Sequence, residues 1–346
     1  MGNGISRRAF VASGAALGLA GLAAPARAAT AGTAGAQTAK AGTAGFGAGF
    51  PVGPWTRNPG NPVLTADPGH SWESSYVYNP AAIVHNGQIN VLYRAQGSDL
   101  VSSIGLAVSD DGVTFQRFAD PVLAPSSAVD SHGCEDPRVV QVGDTFYLTY
   151  TSYDGTTPLL SLATSTDLRN WTKHGPLFPD FITPGAKKPR SKSGAILTEP
   201  IDGTYYMYFG DNGIFYATST DLLTWKPFST PVVPKASDDF TAHLVEAGPQ
   251  PVINDAGLIV LVHNAAQSTD SGLVYAVGQA LIDPAHPTAC LARMTQPFLR
   301  PEEAYETDGQ VPNVLFAEGL VQFKGTWYLY YGGADTVVGL ATYRAE

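Results

Sequence analysis

The segment with the clearest chemical potential spans residues 133–138 and reads Gly-Cys-Glu-Asp-Pro-Arg. It places two carboxylates and a guanidinium around one proline, directly before an apolar run that is typical of a strand. Chains rarely bring unpaired charge next to a core, so this cluster requires an explanation. Pro137 fixes its own φ and favours an extended conformation for Asp136, which predicts side chains held in a defined direction. Two interpretations stay open from these residues alone: a structural ion pair at a strand entrance, or an acid of an active site.

The elements that must position this cluster are indicated by an internal repeat. Three segments follow the pattern Ser-x-Asp-x-x-x-aromatic and begin at residues 109, 165 and 219. Each comes after a short apolar run, and its aspartate can bond the backbone of its own turn while the aromatic residue packs on the core. We therefore interpret these aspartates as turn residues and not as calcium or ligand loops. The spacing is in the range of propeller blades.

A second series of segments gives the number of repeats. Five aromatic or β-branched runs each follow a turn signal such as Asn-Gly or Asp-Gly, and no long amphipathic helix is evident. Regular spacing of this kind predicts an all-β chain that forms a single five-bladed β-propeller, with a ligand site at the inner ends of the strands. The five runs are 89–94, 146–150, 205–209, 258–263 and 327–331.

The first residues are interpreted as an export signal. Residues 6–11 contain a twin-arginine pattern, a short apolar run follows, and Ala26-Arg27-Ala28 offers a cleavage site. We expect a twin-arginine signal peptide over residues 1–28, a flexible leader rich in Ala, Gly and Thr over 29–49, and one catalytic domain over 50–346. The mature protein is accordingly predicted to be secreted.

Composition limits the classes of partner. The formal net charge is −10, which argues against nucleic acid or an anionic membrane as partner, while a neutral oligosaccharide is compatible with it. No Cys/His spacing suggests a zinc site, and we expect neither a metal nor an organic cofactor. Cys134 and Cys290 are compatible with one disulfide or with two thiols; folding before export favours the thiols. The oligomeric state is left open.

At this point the chain resembles glycoside hydrolase family 130, which contains mannoside phosphorylases and β-mannosidases on five-bladed propellers. The resemblance covers residues 79–345 and rests on several short blocks in the same order. These blocks are 79–83, 93–95, 135–138, 174–181, 247–251, 301–306, 311–314 and 331–337.

The resemblance implies roles for individual residues. Asp136 corresponds to the acid beside the scissile mannosyl unit, which is thought to act through a sugar hydroxyl. Other matching positions are expected to bind substrate, since amide, carboxylate and guanidinium groups pair well with vicinal hydroxyls. The substrate-binding candidates are Asn79, Arg94, Arg138, Lys192, His263 and Asp335.

The resemblance leaves two reactions open, and the residues favour hydrolysis. A phosphorylase needs cations for phosphate, but the strand 205–209 has none and Asp211 would repel the anion. Glu199 and Glu246 match the hydrolytic branch and, with Asp136, are the expected catalytic groups of an inverting β-mannosidase acting possibly on β-1,2 linkages; Glu318 is a further candidate. Secretion also favours hydrolysis, because a sugar phosphate released outside the cell is hard to recover.

Two alternatives accompany the hydrolase interpretation. The first is a phosphate-dependent β-mannoside phosphorylase that releases mannose 1-phosphate, because Lys192 and His263 are still present. The second is a sugar-binding propeller without catalysis, which would need no acid. Convergence of Asp136, Glu199 and Glu246 on one site would support an enzyme, and a cluster of cations there would favour the phosphorylase.

Overall fold

The computed structural model describes residues 53–270 and 272–344. Within these ranges the helical elements are the 3-10 turns Ser71–Glu73 and Ala128–Asp130 and the one-turn α-helix α1, Ala304–Thr307. The strands are β1 Thr56–Arg57, β2 Tyr76–His85, β3 Gln88–Gln96, β4 Ser102–Ser109, β5 Gln116–Arg117, β6 Gly133–Val142, β7 Thr145–Tyr153, β8 Pro158–Ser165, β9 Thr172–Pro176, β10 Ala195–Ile196, β11 Tyr205–Phe209, β12 Ile214–Ser219, β13 Lys226–Val233, β14 Leu244–Ala247, β15 Val252–Ile253, β16 Ile259–Thr269, β17 Gly272–Ile282, β18 Cys290–Arg293, β19 Leu315–Phe323, β20 Thr326–Gly333 and β21 Val337–Tyr343. The predicted all-β class is confirmed.

The strands form five antiparallel units in chain order. The units β2–β5 and β6–β9 belong to one eight-stranded sheet, because a single parallel pairing, Ser102 with Gly133, joins them. The third unit is β10–β13, and the fourth is β14 with β16, β17 and β18, to which β15 adds on β16. In the last unit β1 pairs with β21, so strands from both ends of the described chain share a sheet. Five units agree with the repeat count from the sequence; a closed propeller stays a prediction.

The repeated Ser-x-Asp turns have the structural role that the sequence predicts. Asp111 Oδ1 accepts hydrogen bonds from the backbone amides of Val113 and Thr114 at 2.8 and 2.7 Å. Asp167 and Asp221 cap their turns in the same way. These amide donors lower the pKa of Asp111 to about 2, because they stabilise the ionised carboxylate. The aspartates are therefore turn caps.

The first strands of the units are buried along most of their length, and this limits where charged side chains can be placed. Seven of the ten residues of β6 and eight of the nine of β19 are buried, so these strands do not alternate between apolar and polar faces. Hydrophobic clusters fill the spaces on both sides, for example around Leu148 and around Leu329. A charged side chain in such a strand must find a partner within the protein.

Several predictions fall at or beyond the limits of the described chain. The signal peptide and the leader lie outside the described residues, as do positions 50–52, 345 and 346 of the expected catalytic domain. Among the described residues no helix has the length and apolarity needed to cross a bilayer. Both cysteines are free thiols, with Cys134 buried and Cys290 half-buried.

Candidate active site

Three β-bulges place polar side chains in the buried first strands. The pairing register skips Asn79 in β2, the Asp136-Pro137 step in β6 and Glu318 in β19. A bulge turns a side chain out of the regular pleat and is common near active sites. Asn79 and Asp136 have φ of 45° and 49°, so the extended conformation predicted for Asp136 is wrong: the bulge overrides the preference that Pro137 imposes. Backbone strain of this kind clusters at functional sites.

Asp136 lies at the centre of a buried polar network. Its Oδ1 accepts hydrogen bonds from Asn79 Nδ2 at 2.8 Å and from Arg94 Nη1 at 3.0 Å. Arg94 also donates to Glu135 Oε1 at 2.7 Å and to Ser102 Oγ at 2.8 Å. Gly332 is required beside this network, because a Cβ there would lie 2.3 Å from Asn79 Oδ1. The motif at residues 133–138 thus supplies both the central carboxylate and one of its neighbours.

Lys192 connects Asp136 to a second carboxylate. Its Nζ lies 4.0 Å from Asp136 Oδ2 and 3.1 Å from Glu246 Oε1. Glu246 is buried in β14 and also accepts a hydrogen bond from Ser193 Oγ. The two oxygens of Asp136 therefore face different cations, with Arg94 at Oδ1 and Lys192 at Oδ2. Asp136 and Glu246, both predicted to be catalytic, belong to one cluster.

The cluster separates the pKa values of its carboxyl groups. Burial alone would raise the pKa of Asp136, but the charges of Arg94 and Lys192 and the Asn79 amide hold it well below its usual range. Burial raises the pKa of Glu246, and Lys192 opposes this only in part. Burial likewise raises the pKa of Asp335 to about 7, against the opposing charge of Arg94. The site of the free protein therefore combines Asp136, which loses its proton readily, with Glu246 and Asp335, which retain protons more readily.

Arg138 and Glu318 form an inner pair that supports the strands. Arg138 is buried and donates to the carbonyl oxygens of Gly248, Ala247 and Asp136 at 2.9, 2.8 and 3.1 Å. Its Nη2 lies 3.0 Å from Glu318 Oε1, close enough for an ion pair. The angles do not fit a hydrogen bond, and neither Glu318 oxygen has a hydrogen-bond partner among the described residues. Burial raises the pKa of Glu318 well above its usual range. The guanidinium of Arg138 bonds groups of the protein and holds β6 against the end of β14; the substrate-binding role expected for it stays a prediction.

Two predicted site residues are not part of the cluster. Glu199 is exposed in the turn between β10 and β11 and accepts a hydrogen bond from Thr198 at 2.9 Å. His263 is buried and stacks on Phe240 with ring centroids 5.8 Å apart, and neither ring nitrogen has a hydrogen-bond partner within the described chain. Burial and the charge of Arg293 lower its pKa to about 4, so it is neutral at pH 7. The catalytic role predicted for Glu199 and the binding role predicted for His263 lack the required geometry.

One cation of the site was missed from the sequence. Arg190 donates through Nε to Asp211 Oδ2 at 3.0 Å, and its Nη2 pairs with the same oxygen. Asp211 is buried, and its pKa is lowered by Lys192 and Arg190 although burial alone would raise it. The side chain of Arg190 is 41% exposed. The signal for it was the basic segment of residues 184–193, which brings cations to a strand that has none of its own.

A separate group could hold a metal ion by composition. Asp67, His70 and Glu73 bring potential ligand atoms within 4.8 Å of one another. His70 Nδ1 and Glu73 Oε1 are already 2.7 Å apart, however, and Glu73 Oε2 accepts from Tyr93 and Arg117. Asp67 Oδ1 accepts a hydrogen bond from the amide of Gly69 at 2.8 Å, so all three side chains have partners without an ion.

Comparison with known proteins assigns the family. The model described as beta-1,4-mannooligosaccharide phosphorylase matches residues 57–346. The chain belongs to glycoside hydrolase family 130. It is 32% identical over 308 residues to a beta-1,2-mannobiose phosphorylase of Thermoanaerobacter sp., which covers 84% of this chain and 97% of the relative. A 1,2-beta-oligomannan phosphorylase of the same organism is also 32% identical, over 81% of this chain and 94% of that protein.

A solved structure agrees with the family assignment. A glycosyl hydrolase from Bacteroides ovatus matches with a TM-score of 0.77 and 35% identity, covering 84% of this chain and 93% of that chain. The prediction of an inverting hydrolase is nevertheless wrong, because the curated relatives over nearly the whole described chain are phosphorylases. The physical error lies at Asp211: its charge is neutralised by Arg190, so it does not repel an anion as an isolated carboxylate would.

Proposed function

We propose that this protein is an enzyme acting on mannosides, an inorganic-phosphate-dependent phosphorylase that cleaves β-mannosidic linkages and releases mannose 1-phosphate. The observation that carries the proposal is the position of Lys192, whose Nζ lies between Asp136 and Glu246, with Arg190 and Asp211 beside it. Cations at one edge of a buried carboxylate provide the charge-assisted hydrogen bonds that phosphate requires. The β-1,2-mannoside phosphorylases similar to this chain support the same substrate class.

The reaction follows from the arrangement of charges. A phosphate oxygen held near Lys192 would attack the anomeric carbon of the mannosyl unit while the bond to the leaving oxygen breaks. Attack from the opposite face inverts the β-mannoside, so the product is α-configured. The leaving oxygen takes up one proton, which the acid Asp136 would transmit through a sugar hydroxyl, as the family resemblance implies.

Binding of phosphate would itself adjust the acid. In the free site Lys192 and Arg94 keep Asp136 ionised, which is the wrong state for an acid. A phosphate dianion beside Lys192 would compete for the ammonium group and place negative charge near Asp136, and both effects raise the pKa of that carboxyl. Glu246 has a raised pKa and would reduce repulsion of phosphate when it carries a proton. The acid would thus become competent only when phosphate is bound.

We also propose that the five antiparallel units form a five-bladed propeller with this site at its centre. Contacts between different units support this arrangement: Arg138 of β6 bonds carbonyls at the end of β14, and Asn264 of β16 bonds the backbone of Ala317 in β19 at 2.9 and 2.7 Å. Secretion through the twin-arginine route remains a prediction from residues 1–28.

The test is a comparison of substrates with and without phosphate. Purified protein is incubated with β-1,2- or β-1,4-mannobiose, and products are followed by phosphorus NMR and by free-mannose assay. We expect α-mannose 1-phosphate and one mannose per bond cleaved, only when phosphate is present. Release of two mannoses at an equal rate without phosphate would overturn the proposal.

A matched pair of variants locates the phosphate site. Lys192→Met should raise the KM for phosphate by about a hundredfold or more, because a buried charge-assisted bond is lost. Lys188→Met removes an exposed charge four positions away and should change this KM by less than about twofold. Equal effects of the two substitutions would refute the position assigned to phosphate.

A further inference from the structure

A cavity of about 410 Å³ lies between the first and second units, away from the cluster around Asp136. The first unit contributes the β2–β3 hairpin and β4 to its walls, and the second unit contributes the turn after β8. On β2 the wall begins at His85, six residues after Asn79, which corresponds to about 20 Å at about 3.3 Å per residue. The cavity is therefore separate from the reacting centre. Its volume is within the range of roughly 300–1,000 Å³ that small-molecule sites occupy.

Two contacts between the units hold the walls of this cavity in place. Arg169 of the second unit lies over the ring of Phe118 of the first, with its Cζ 4.3 Å from the ring centroid. His85 of the first unit meets Phe146 of the second edge to face, with ring centroids 5.0 Å apart. Leu106, which also lines the cavity, is buried. Because aromatic contacts of these kinds favour defined orientations, the cavity is formed by the protein itself, before any ligand binds.

A buried amide in the wall has an unused hydrogen-bond acceptor. Asn90 lines the cavity and is only 6% exposed. Its Nδ2 donates to the carbonyl oxygens of His85 at 3.3 Å and of Gln88 at 3.2 Å, which fixes the orientation of the amide, and its Oδ1 has no partner among the described residues. The polar atoms of side chains buried to this degree have partners in the large majority of cases. Asn90 Oδ1 is therefore available to a molecule in the cavity.

The wall carries one cation and one carboxylate, which indicates an uncharged ligand. The guanidinium of Arg169 forms no hydrogen bond or ion pair within the described chain, so its N–H groups are available as donors. The backbone amide and the side chain of Asn170 hold the pKa of Asp167 well below its usual range, so this carboxyl is ionised. One charge of each sign leaves no excess of positive charge that would attract phosphate or another small anion. The wall instead offers donors and acceptors together, beside apolar side chains.

We propose that this cavity is a second saccharide-binding site, remote from the active site, whose ligand is a neutral oligosaccharide of the class on which the enzyme acts. A sugar hydroxyl donates and accepts hydrogen bonds at once, which matches Arg169 as donor and Asn90 Oδ1 as acceptor. The apolar face of a pyranose ring suits Leu106 and Val108 in the same wall. A saccharide bound here is held at the protein surface and takes no part in bond cleavage. The choice of a mannoside as probe rests on the proposed function.

Methyl NMR measures binding at this cavity separately from binding at the active site, through the signals of Leu106 and Val108. The titration uses β-1,2-mannotriose in the Asp136→Asn background without phosphate, so that the trisaccharide stays intact whichever reaction the protein catalyses. We expect both methyl signals to shift to saturation. Arg169→Met should weaken this binding about tenfold, because a hydrogen bond from a charged donor is lost. Asn86→Gly, which removes an exposed amide from the wall and suits the φ of 51° at this position, should also weaken it.

Lys226→Met is the matched control, because Lys226 is an exposed cation that likewise lies over a ring, 5.3 Å from the centroid of Phe228, outside the cavity. This variant should bind mannotriose with unchanged affinity. Equal affinities of the Arg169→Met and Lys226→Met variants overturn the assignment, and so does the absence of a saturating shift at Leu106 and Val108. A saturating shift with inorganic phosphate but not with mannotriose indicates an anion site and overturns it as well.

Activity assays keep this proposal distinct from the proposed function. With Asp136 intact, Arg169→Met should leave kcat and the KM values for mannobiose and phosphate within about twofold of wild type, because the cavity is remote from the reacting centre. A large rise in these KM values would contradict a separate site. If wild-type protein forms no sugar phosphate, the proposed function fails, and the NMR titration still decides whether mannotriose occupies the cavity.

Discussion

Replacing Asp335 by asparagine should change the pH dependence of stability in a defined direction. Burial raises the pKa of this carboxyl from 3.8 to about 7 in the folded protein. Between about pH 4 and pH 7 the folded state therefore holds a proton that the unfolded chain has released. The free energy of unfolding must fall as pH rises through this window and level off above it. Asparagine does not titrate, so the variant lacks this contribution.

The size of the effect follows from the pKa and from the surroundings of the side chain. A rise from 3.8 to about 7 corresponds to about 4 kcal/mol, at about 1.4 kcal/mol for each pKa unit. Asp335 is only partly buried, and water in the open site screens part of its interaction with Asp136 and Glu135. We therefore expect about 2 kcal/mol over the whole window, of which the variant gains about 1 kcal/mol over wild type between pH 5 and pH 8.

The assay is urea denaturation of both proteins at pH 5, 6, 7 and 8, followed by tryptophan fluorescence. Asp255→Asn, at an exposed aspartate, serves as the control and should follow wild type throughout. At each pH the free energy of unfolding of wild type is subtracted from that of the variant, and the change of this difference with pH is the result. A pH-independent effect of the substitution on stability therefore cancels. If the difference between Asp335→Asn and wild type is the same at pH 5 and pH 8, the charge environment assigned to Asp335 is wrong.

Two further substitutions test the residues outside the reacting centre. Glu199→Gln should leave kcat and the KM values for phosphate and mannoside within about twofold of wild type, because the side chain is exposed in a turn. A loss of activity as large as that of Glu246→Gln in parallel assays would contradict the site described here. Arg138→Met should lower the free energy of unfolding by about 3–5 kcal/mol, because it leaves the buried carbonyl groups of Asp136, Ala247 and Gly248 without their donor and Glu318 without its partner. Denaturant midpoints measure this loss. The double variant with Glu318→Met should recover only the part due to Glu318, and stability equal to wild type in the single variant would refute the pairing.

The sequence predicted the fold class well because its signals are local. Turn residues and aromatic runs recur along the chain, and each repeat needs only its own neighbours to be recognised. The site was predicted in part for the same reason. Asp136 is flanked by a distinctive motif, and Asn79 precedes a proline in the first strand just as Asp136 does. Lys192 and Asp335 also fell within this site, through the family resemblance.

The remaining features depend on contacts that no local pattern contains. Arg190 bonds Asp211, which is 21 positions away. The residues next to Asp211 in sequence include no cation, and they therefore predict that its carboxylate repels phosphate. His263 stands in β16 among residues that are buried on both faces, and the absence of alternation hides the direction of its side chain. Arg138 looks like a site residue in sequence, yet its partners are carbonyls more than a hundred positions away.

The pairing of β1 with β21 has a consequence for how the chain folds. Asn61, just after β1, donates to the carbonyl oxygen of Leu340, 279 positions along the chain. Such a contact closes a very large loop, and the loss of chain entropy on closing this loop opposes formation of the contact. The last unit can therefore be completed only after nearly all of the described chain has been synthesised. Because Asp335 lies two positions before β21, the site is complete only when this last unit has formed, and chains that lack β21 should bind no substrate.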